Sequence, residues 1–430
     1  MEIGSITTTH GTRARHALGA RAHRRRPIAA LAMGVLLLGG AVLTACAPDP
    51  VSSAAPSVDR GRLVRSEPLR TLSPEQLTAV LADAGFDTGT ARFGADTYRL
   101  TYDTVDPSGS ATTATGLLAL PATPDHDLTA VLFEHGTMAT KADAPSVAEH
   151  GGDLAATLTF AGAGFAGIAP DYLGLGLGPG QHPYLDLPSE TTASVDMLRA
   201  ARDFVNTTGR QLRPGVDLTG FSQGGPAALG VARNLGGTAT DTFHTAAAAP
   251  ISGPYDIRET ELPALLAGEL DPTSAVFYSG YFLTAWNRLH QLYDSPGEVF
   301  RAPYDSTVEQ LFDGTRTEQQ IVENLPENVD LLLTPHGLDL LRHPSDRLAA
   351  ALRTADEVCR TGTPRVPIRL YTGSEDRDVV PGNSVRCREY LGAQGVDATT
   401  VDVGPVDHSG SGKAGIAAAV RWFQELTAPR

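Results

Sequence analysis

Strand patterns alternate with helical patterns along most of this sequence, and the alternation restricts the fold more than any other feature. The apolar runs that predict buried strands are LTAVLFEHG, FAGIAPD, GVDLTGF, HTAAAAPIS, VPIRLYTGS and ATTVDVG. Amphipathic or Ala-rich helical patterns lie among them, such as TTASVDMLRAARDFVNTT, QGGPAALGVARNLGG and GIAAAVRWFQEL. Strands joined by helices pair in parallel, and helices then cover both faces of the sheet. The sequence therefore predicts an α/β fold with a mainly parallel sheet, and it excludes all-α and two-layer all-β folds.

The domain limits follow from where this alternation starts and stops. A helix capped by Ser73 and an antiparallel strand pair, DTYRLTYDTV and TATGLLALP, precede the alternation. Between about residues 252 and 364 a segment rich in Leu, Tyr and short helical patterns interrupts it. We expect residues 71–251 and 365–430 to form the core and residues 252–364 to form a cap, or lid, over the strand ends.

The N-terminus has the pattern of an export signal. Six arginines within residues 13–26 precede an apolar run, PIAALAMGVLLLGGAVLTA, which ends at Cys46. The last residues, LTAC, resemble the lipobox of bacterial lipoproteins, and this resemblance implies cleavage before Cys46 and lipidation of its thiol. We expect residues 1–46 to be a lipoprotein-type signal and residues 47–70 a tether, which places the protein in the cell envelope or makes it secreted. An uncleaved membrane anchor is the alternative, because the apolar run is nearly long enough to span a bilayer.

The net charge restricts the classes of binding partner, and the cysteine content indicates a disulfide. The net charge is −15, and residues 1–46 carry six arginines and one glutamate, so their removal leaves −20. A surface this acidic argues against nucleic acid and against anionic lipid headgroups as electrostatic partners. The two remaining cysteines, Cys359 and Cys387, predict a disulfide in an exported protein, with two free buried thiols as the alternative.

The segment GFSQGG places a serine between a predicted strand and a predicted helix. A Gly220-x-Ser222-x-Gly224 pattern alone is weak in a chain with 45 glycines, but the strand–turn–helix setting is that of a nucleophile elbow. The glycines permit a tight turn that presents the Ser222 hydroxyl at the end of the strand. The main-chain N–H of Gln223, at the helix start, would then face a developing oxyanion.

Two later strand ends supply a base and an acid. His408 follows the strand ATTVDVG, and Asp376 or Asp378 follows the strand VPIRLYTGS. The order serine, aspartate, histidine is that of α/β-hydrolases and differs from the order in chymotrypsin and subtilisin. The second oxyanion donor is expected in FEHGTMAT, at the N–H of Thr137 or, failing that, of Gly136. We interpret His135 and Asp171 as structural residues.

Three motifs, HGT (135–137), PDYLGLG (170–176) and GFSQGG (220–225), resemble those of α/β-hydrolases of the secretory-lipase type. The similarity runs from about Tyr98 to the C-terminus, except for the cap. It implies an α/β-hydrolase fold and a cofactor-free carboxylic ester hydrolase with Ser222 as nucleophile, His408 as base and Asp376 as acid. EDRDVVP has one residue more before Pro381 than the commoner spacing, so Asp378 stays a competing acid.

Other sequence features bear on cofactors and on the substrate-binding wall. GLGLGPG does not have dinucleotide-binding spacing, and the remaining histidines have no metal-ligand spacing, so we expect neither cofactor nor metal. The aromatic positions between Tyr278 and Tyr293 share one helix face and predict either cap core or an acyl-binding wall.

Two alternative functions stay open: a peptidase that uses the same triad, and a surface lipoprotein that only binds a ligand. Acyl length, the alcohol moiety and the oligomeric state are open.

Overall fold

The structure is a computed structural model that describes residues 59–237 and 242–427. Within these residues the strands form one nine-stranded sheet in the order β1-β2-β3-β5-β4-β6-β7-β8-β9. The first three strands and the β3–β5 pair are antiparallel, whereas β5, β4, β6, β7, β8 and β9 are parallel neighbours. The strand bounds are β1 Leu63–Leu72, β2 Ala95–Val105, β3 Ala111–Pro121, β4 Asp127–Glu134, β5 Ala166–Pro170, β6 Gln211–Phe221, β7 His244–Ile251, β8 Ile368–Thr372 and β9 Ala398–Asp402. The predicted mainly parallel sheet is confirmed.

Helices cover both faces of this sheet, as the strand patterns require. Along β4, Leu128, Ala130 and Leu132 face one core, and the alternate residues Val131 and Phe133 face the other. The first core is completed by α3, α4 and α13, and the second by α1, α2 and α14. These helices are α1 Pro74–Asp83, α2 Gly152–Gly162, α3 Leu187–Thr207, α4 Gly224–Gly237, α13 Gly382–Ala393 and α14 His408–Thr427.

The segment between β7 and β8 is helical and has its own apolar core. After a π-helical turn at Ile257–Glu261 come α5 Leu262–Ala267, α6 Pro272–His290, α7 Pro296–Val299, α8 Val308–Leu311, α9 Glu318–Glu323, α10 Val329–Leu332, α11 Pro335–Arg342 and α12 Asp346–Asp356. We call residues 257–359 the helical insertion. The aromatic face of α6 packs into its core, and Tyr281 and Trp286 donate hydrogen bonds to the main chain at Met138 and Tyr184. These bonds attach α6 to the loops that follow the central strands β4 and β5.

The predicted tether, residues 47–70, was too long at its C-terminal end. The edge strand β1 begins at Leu63 and pairs with β2, and Arg60 already forms an ion pair with the buried Asp196. Most side chains of β1 are exposed, so its sequence lacks the apolar alternation that would have shown the strand. Cys46 and the predicted signal lie outside the described residues. In the part of the chain that the structure describes, no helix has the length and apolarity needed to cross a membrane.

Cys359 and Cys387 form a disulfide, as the sequence predicted, with their Cα atoms 5.2 Å apart. The bond joins the end of the helical insertion to α13, and both residues are fully buried. It therefore connects the insertion to the helix that follows the loop bearing Asp376.

Replacing both cysteines by alanine is expected to lower the free energy of unfolding by about 3–4 kcal/mol on the chain-entropy model. The reason is that the bond closes a loop with a sequence separation of 28 residues, which limits the unfolded chain. Guanidinium denaturation of the double variant against the oxidised protein measures the difference. A loss below about 1 kcal/mol would contradict this account.

Candidate active site

Ser222 lies on the turn between β6 and α4 in a left-handed backbone conformation, with φ of 55°. This conformation is uncommon for a residue with a side chain and is typical of strained functional turns. Two close approaches require glycine beside it: a Cβ on Gly224 would collide with the carbonyl oxygen of Glu134, and one on Gly220 with that of Gly224. This turn therefore requires glycine at both positions, and Ser222 lies at its tip.

Two loops from the C-terminal third of the chain meet Ser222. His408, the first residue of α14, places Nε2 2.8 Å from Ser222 Oγ, and its Nδ1 lies 2.8 Å from Asp376 Oδ2. All three side chains are buried, with 4% of Ser222, 4% of Asp376 and 8% of His408 exposed. Nδ1 donates to the carboxylate, which leaves Nε2 as the acceptor for the serine proton. The arrangement can therefore remove a proton from a serine hydroxyl.

Asp376, and not Asp378, contacts His408. The second oxygen of Asp376 accepts hydrogen bonds from the main-chain N–H groups of Asp378 and Val379, each 3.0 Å long. Asp378 instead accepts a hydrogen bond from Tyr278 at 3.2 Å. The loop therefore turns back on Asp376 and directs Asp378 towards the helical insertion.

The sequence analysis missed two serines near His408: Ser411 bonds to its main chain, and Ser252 contacts Ser411. Ser411 donates a 2.6 Å hydrogen bond to the carbonyl of His408, and its Oγ lies 2.7 Å from that of Ser252 at the end of β7. The position of Ser411, three residues into α14, was a signal that could have indicated the first contact. Ser252 is far away in the sequence and carries no such signal.

The two predicted oxyanion donors border the same space as the serine. Thr137 and Gln223 line a cavity together with Ser222. Among the hydrogen bonds of the described residues, neither main-chain N–H has an acceptor. The N–H of Gly136 points to Asp153 Oδ1 at 3.4 Å, which makes it the poorer candidate.

His135 and Asp171 are buried in structural hydrogen bonds, in agreement with the interpretation from sequence. The ring nitrogens of His135 lie 2.7 Å from the carbonyl of Gly136 and 3.3 Å from that of Asp171. The carboxylate of Asp171 accepts hydrogen bonds from Thr115 and Ser146. Neither residue contacts Ser222 in the hydrogen bonds of the described chain.

The cavity at Ser222 is mainly apolar. About 630 Å³ of space free of protein atoms lies among its lining residues, and this figure includes space open to solvent. The helical insertion provides most of its apolar wall, through Leu262, Leu265, Leu270, Phe282 and Leu341. Phe282 belongs to the aromatic face of α6, so that face contributes both to the core of the insertion and to the cavity wall.

A second cavity, lined by carboxylates, adjoins the first. Thr137, Tyr278 and Asp378 border both, and Asp143, Asp153 and Glu318 border the second alone. Burial raises the pKa of each of these three carboxyl groups above its ordinary value. Within residues 59–237 and 242–427, no group of three or more His, Cys, Asp or Glu side chains could hold a metal ion.

Known protein-family models and curated proteins give no match to this chain, whereas solved structures do. The rice cell wall degrading esterase LipA from Xanthomonas oryzae is 26% identical, with a TM-score of 0.73 over 85% of this chain and 98% of that chain. Lipase A from Candida antarctica is 17% identical, with a TM-score of 0.59 over 81% of this chain and 78% of that chain, a likeness that shows the fold alone. The fold is therefore an α/β-hydrolase fold, and its structural neighbours support a hydrolase of the esterase and lipase class.

Proposed function

We propose that this protein is a serine hydrolase that cleaves carboxylic esters through an acyl-enzyme on Ser222. The observation that carries the proposal is the chain of two 2.8 Å contacts from Asp376 through His408 to Ser222, which lines an apolar cavity. The likeness to LipA, which is an esterase, supports the same class of reaction.

The reaction follows from the positions of these groups. Ser222 Oγ attacks the ester carbonyl while His408 Nε2 takes its proton, and Asp376 holds the imidazole orientation and stabilises the imidazolium. The main-chain N–H groups of Gln223 and Thr137 stabilise the tetrahedral oxyanion. His408 returns the proton to the leaving alcohol, and water then hydrolyses the acyl-enzyme by the same steps.

The cavity wall indicates an ester with an apolar arm. Leucines and Phe282 of the helical insertion would bury an acyl or alkyl chain of an acyl or lipid ester, because apolar pockets gain free energy by removing such surface from water. We assign the insertion, predicted as the cap over residues 252–364, the role of forming this binding site.

A peptidase is the second candidate, and the carboxylate-lined cavity is the observation that favours it. Asp143, Asp153, Glu318 and Asp378 surround a space next to Thr137, where they could bind the free amine of a peptide. A protein that only binds a ligand would have no use for the three aligned triad side chains.

We further propose export, with residues 1–46 as signal and Cys46 as the lipidated residue. The buried disulfide between Cys359 and Cys387 supports an oxidising compartment. The small-molecule ester substrate would then be met at the cell envelope or outside the cell.

The test treats the full chain with a fluorophosphonate probe and measures turnover of p-nitrophenyl esters and aminoacyl amides in parallel. We expect a covalent adduct on Ser222, identified by mass spectrometry, and turnover of esters that the probe abolishes. An adduct at another residue would disprove the nucleophile assignment. Turnover of the amides without the esters would select the peptidase.

A further inference from the structure

One segment, residues 182–190, which runs from the loop after β5 into the first turn of α3, contacts both residues proposed as oxyanion donors. Gln223 Nε2 lies 2.7 Å from Glu190 Oε1 and 2.9 Å from His182 Nε2. The hydroxyl of Tyr184 lies 3.1 Å from Thr137 Oγ1. The same short stretch of chain therefore holds the side chains of Gln223 and Thr137, which come from different strand ends.

The hydrogen bonds at Gln223 have defined directions. His182 Nδ1 lies 2.9 Å from the carbonyl oxygen of Leu173, which can only accept, so Nδ1 carries the ring hydrogen. His182 Nε2 then accepts from Gln223, and Glu190 accepts the other amide hydrogen. Burial lowers the pKa of His182 to about 3, so the ring stays neutral. Both amide hydrogens of Gln223 are thus used, which fixes the orientation of its side chain.

Aromatic packing makes the segment rigid. The ring of Tyr172 stacks on His182 with centroids 5.9 Å apart and an angle of 6°. The ring of Tyr184 stacks on Tyr281 of the helical insertion at 4.2 Å and 2°. His182, Tyr184 and Glu190 are all buried, so few rotamers are open to them.

We propose that His182, Tyr184 and Glu190 are positioning residues that hold Gln223 and Thr137 in place to stabilise the oxyanion. This inference rests on the proposed ester hydrolysis and adds its supporting frame. Oxyanion donors act because they are held in place before charge develops, so a small displacement of their main chain reduces kcat. The residues act through Gln223 and Thr137 and not on the reacting atoms.

The charge state of Glu190 adds a pH dependence. Burial is the main cause that raises the pKa of Glu190 to about 8; the carboxyl groups of Asp186 and Glu134 act in the same direction, and the hydrogen bond from Gln223 acts against it. Below that pH Glu190 is neutral; above it, a carboxylate beside Gln223 opposes the developing negative charge, so we expect kcat to fall as pH rises through about 8. Burial raises the pKa of Glu134 to about 8 as well, so the Glu190→Gln variant, and not the wild-type profile alone, assigns this fall to Glu190. The tyrosines that interact with Glu190 have pKa values raised by burial and stay neutral in this range: Tyr172, Tyr184 and Tyr281.

The test compares Glu190→Gln and Tyr184→Phe with the wild type and with Tyr293→Phe as the control. In the described part of the chain, the buried Tyr293 hydroxyl bonds only to residues of the helical insertion, and Tyr293 is not among the residues that line the cavity at Ser222. We expect kcat for p-nitrophenyl butyrate to fall about 10-fold or more in the two variants, with KM changed by less than about threefold. The inhibition constant of butylboronic acid, which forms a tetrahedral anion on serine, should rise by the same factor as kcat falls. Glu190→Gln should also lose the decline in kcat above about pH 8 that we expect of the wild type.

Three results would overturn the inference: wild-type kcat in both variants, a rise in KM alone, or an unchanged boronate constant beside a lower kcat. In each case a wild type labelled at Ser222 leaves the proposed function intact. Absence of labelling and turnover in the wild type would instead disprove the proposed function. Circular dichroism checks folding, and Tyr184→Phe, which removes one hydroxyl, decides the outcome if Glu190→Gln does not fold.

Discussion

Replacing Ser222 by alanine is expected to reduce kcat for p-nitrophenyl esters by about 10⁴- to 10⁶-fold, the range found when a triad nucleophile is removed. The reason is that the alanine variant has no oxygen within reach of His408 to attack the carbonyl. Gln223 and Thr137 would still bind the carbonyl oxygen, so a small residual rate over the uncatalysed reaction is expected. Steady-state kinetics with the purified variant, together with loss of fluorophosphonate labelling, measures the effect.

The substitution should leave the fold unchanged, since alanine removes a single oxygen from the turn. Ser345→Ala, an exposed serine before α12, is the matched control and should keep wild-type kcat and labelling. Turnover of the Ser222 variant within about tenfold of the wild type would show that another residue is the nucleophile. The left-handed backbone at residue 222 would then require a different explanation.

The central strands of the sheet could be predicted from the sequence because they are buried on both faces and appear as continuous apolar runs. Strand β1 could not be predicted in this way, because most of its side chains are exposed and its position depends on pairing with β2. The sequence indicated short helices in the insertion but not the bounds of α7 to α10. Each spans only four to six residues, and the apolar core of the insertion determines where they form.

In the site, too, residues that follow a local sequence pattern could be identified, whereas residues that depend on distant contacts could not. Ser222, His408 and the two proposed oxyanion donors could be located from the sequence because each follows a predicted strand. The supporting residues Glu190, His182 and Tyr184 could not, because their partners lie 33 to 47 positions away and depend on how the loops pack. No periodicity in one sequence carries that information.

The choice between Asp376 and Asp378 shows why spacing alone was ambiguous. Both follow the same strand, and an extended loop would offer either carboxylate to His408. The structure selects Asp376 because the N–H groups of Asp378 and Val379 bind its second oxygen and turn the loop around it. Asp378 then faces Tyr278 of the insertion.

Replacing Asp376 by asparagine is therefore expected to lower kcat about 10⁴-fold, whereas Asp378→Asn should change KM more than kcat. An amide at residue 376 no longer supplies the carboxylate that fixes the His408 tautomer and stabilises the imidazolium. Asp378 borders both cavities, so its loss would alter substrate contacts without touching the base. Kinetics of the two isosteric variants on one ester series measures both effects.

The two variants also show whether Asp376 acts as the triad acid or only maintains the structure of the loop. Asparagine keeps an oxygen that can accept from the N–H groups of Asp378 and Val379, so the loop should fold in both variants, which the thermal unfolding midpoint can verify. A chemical step that depends on the carboxylate predicts a large fall in kcat at position 376 with an unchanged midpoint. A large fall at position 378 and a small one at 376 would reverse the assignment, because the loop would then have to present Asp378 to His408 in the working enzyme.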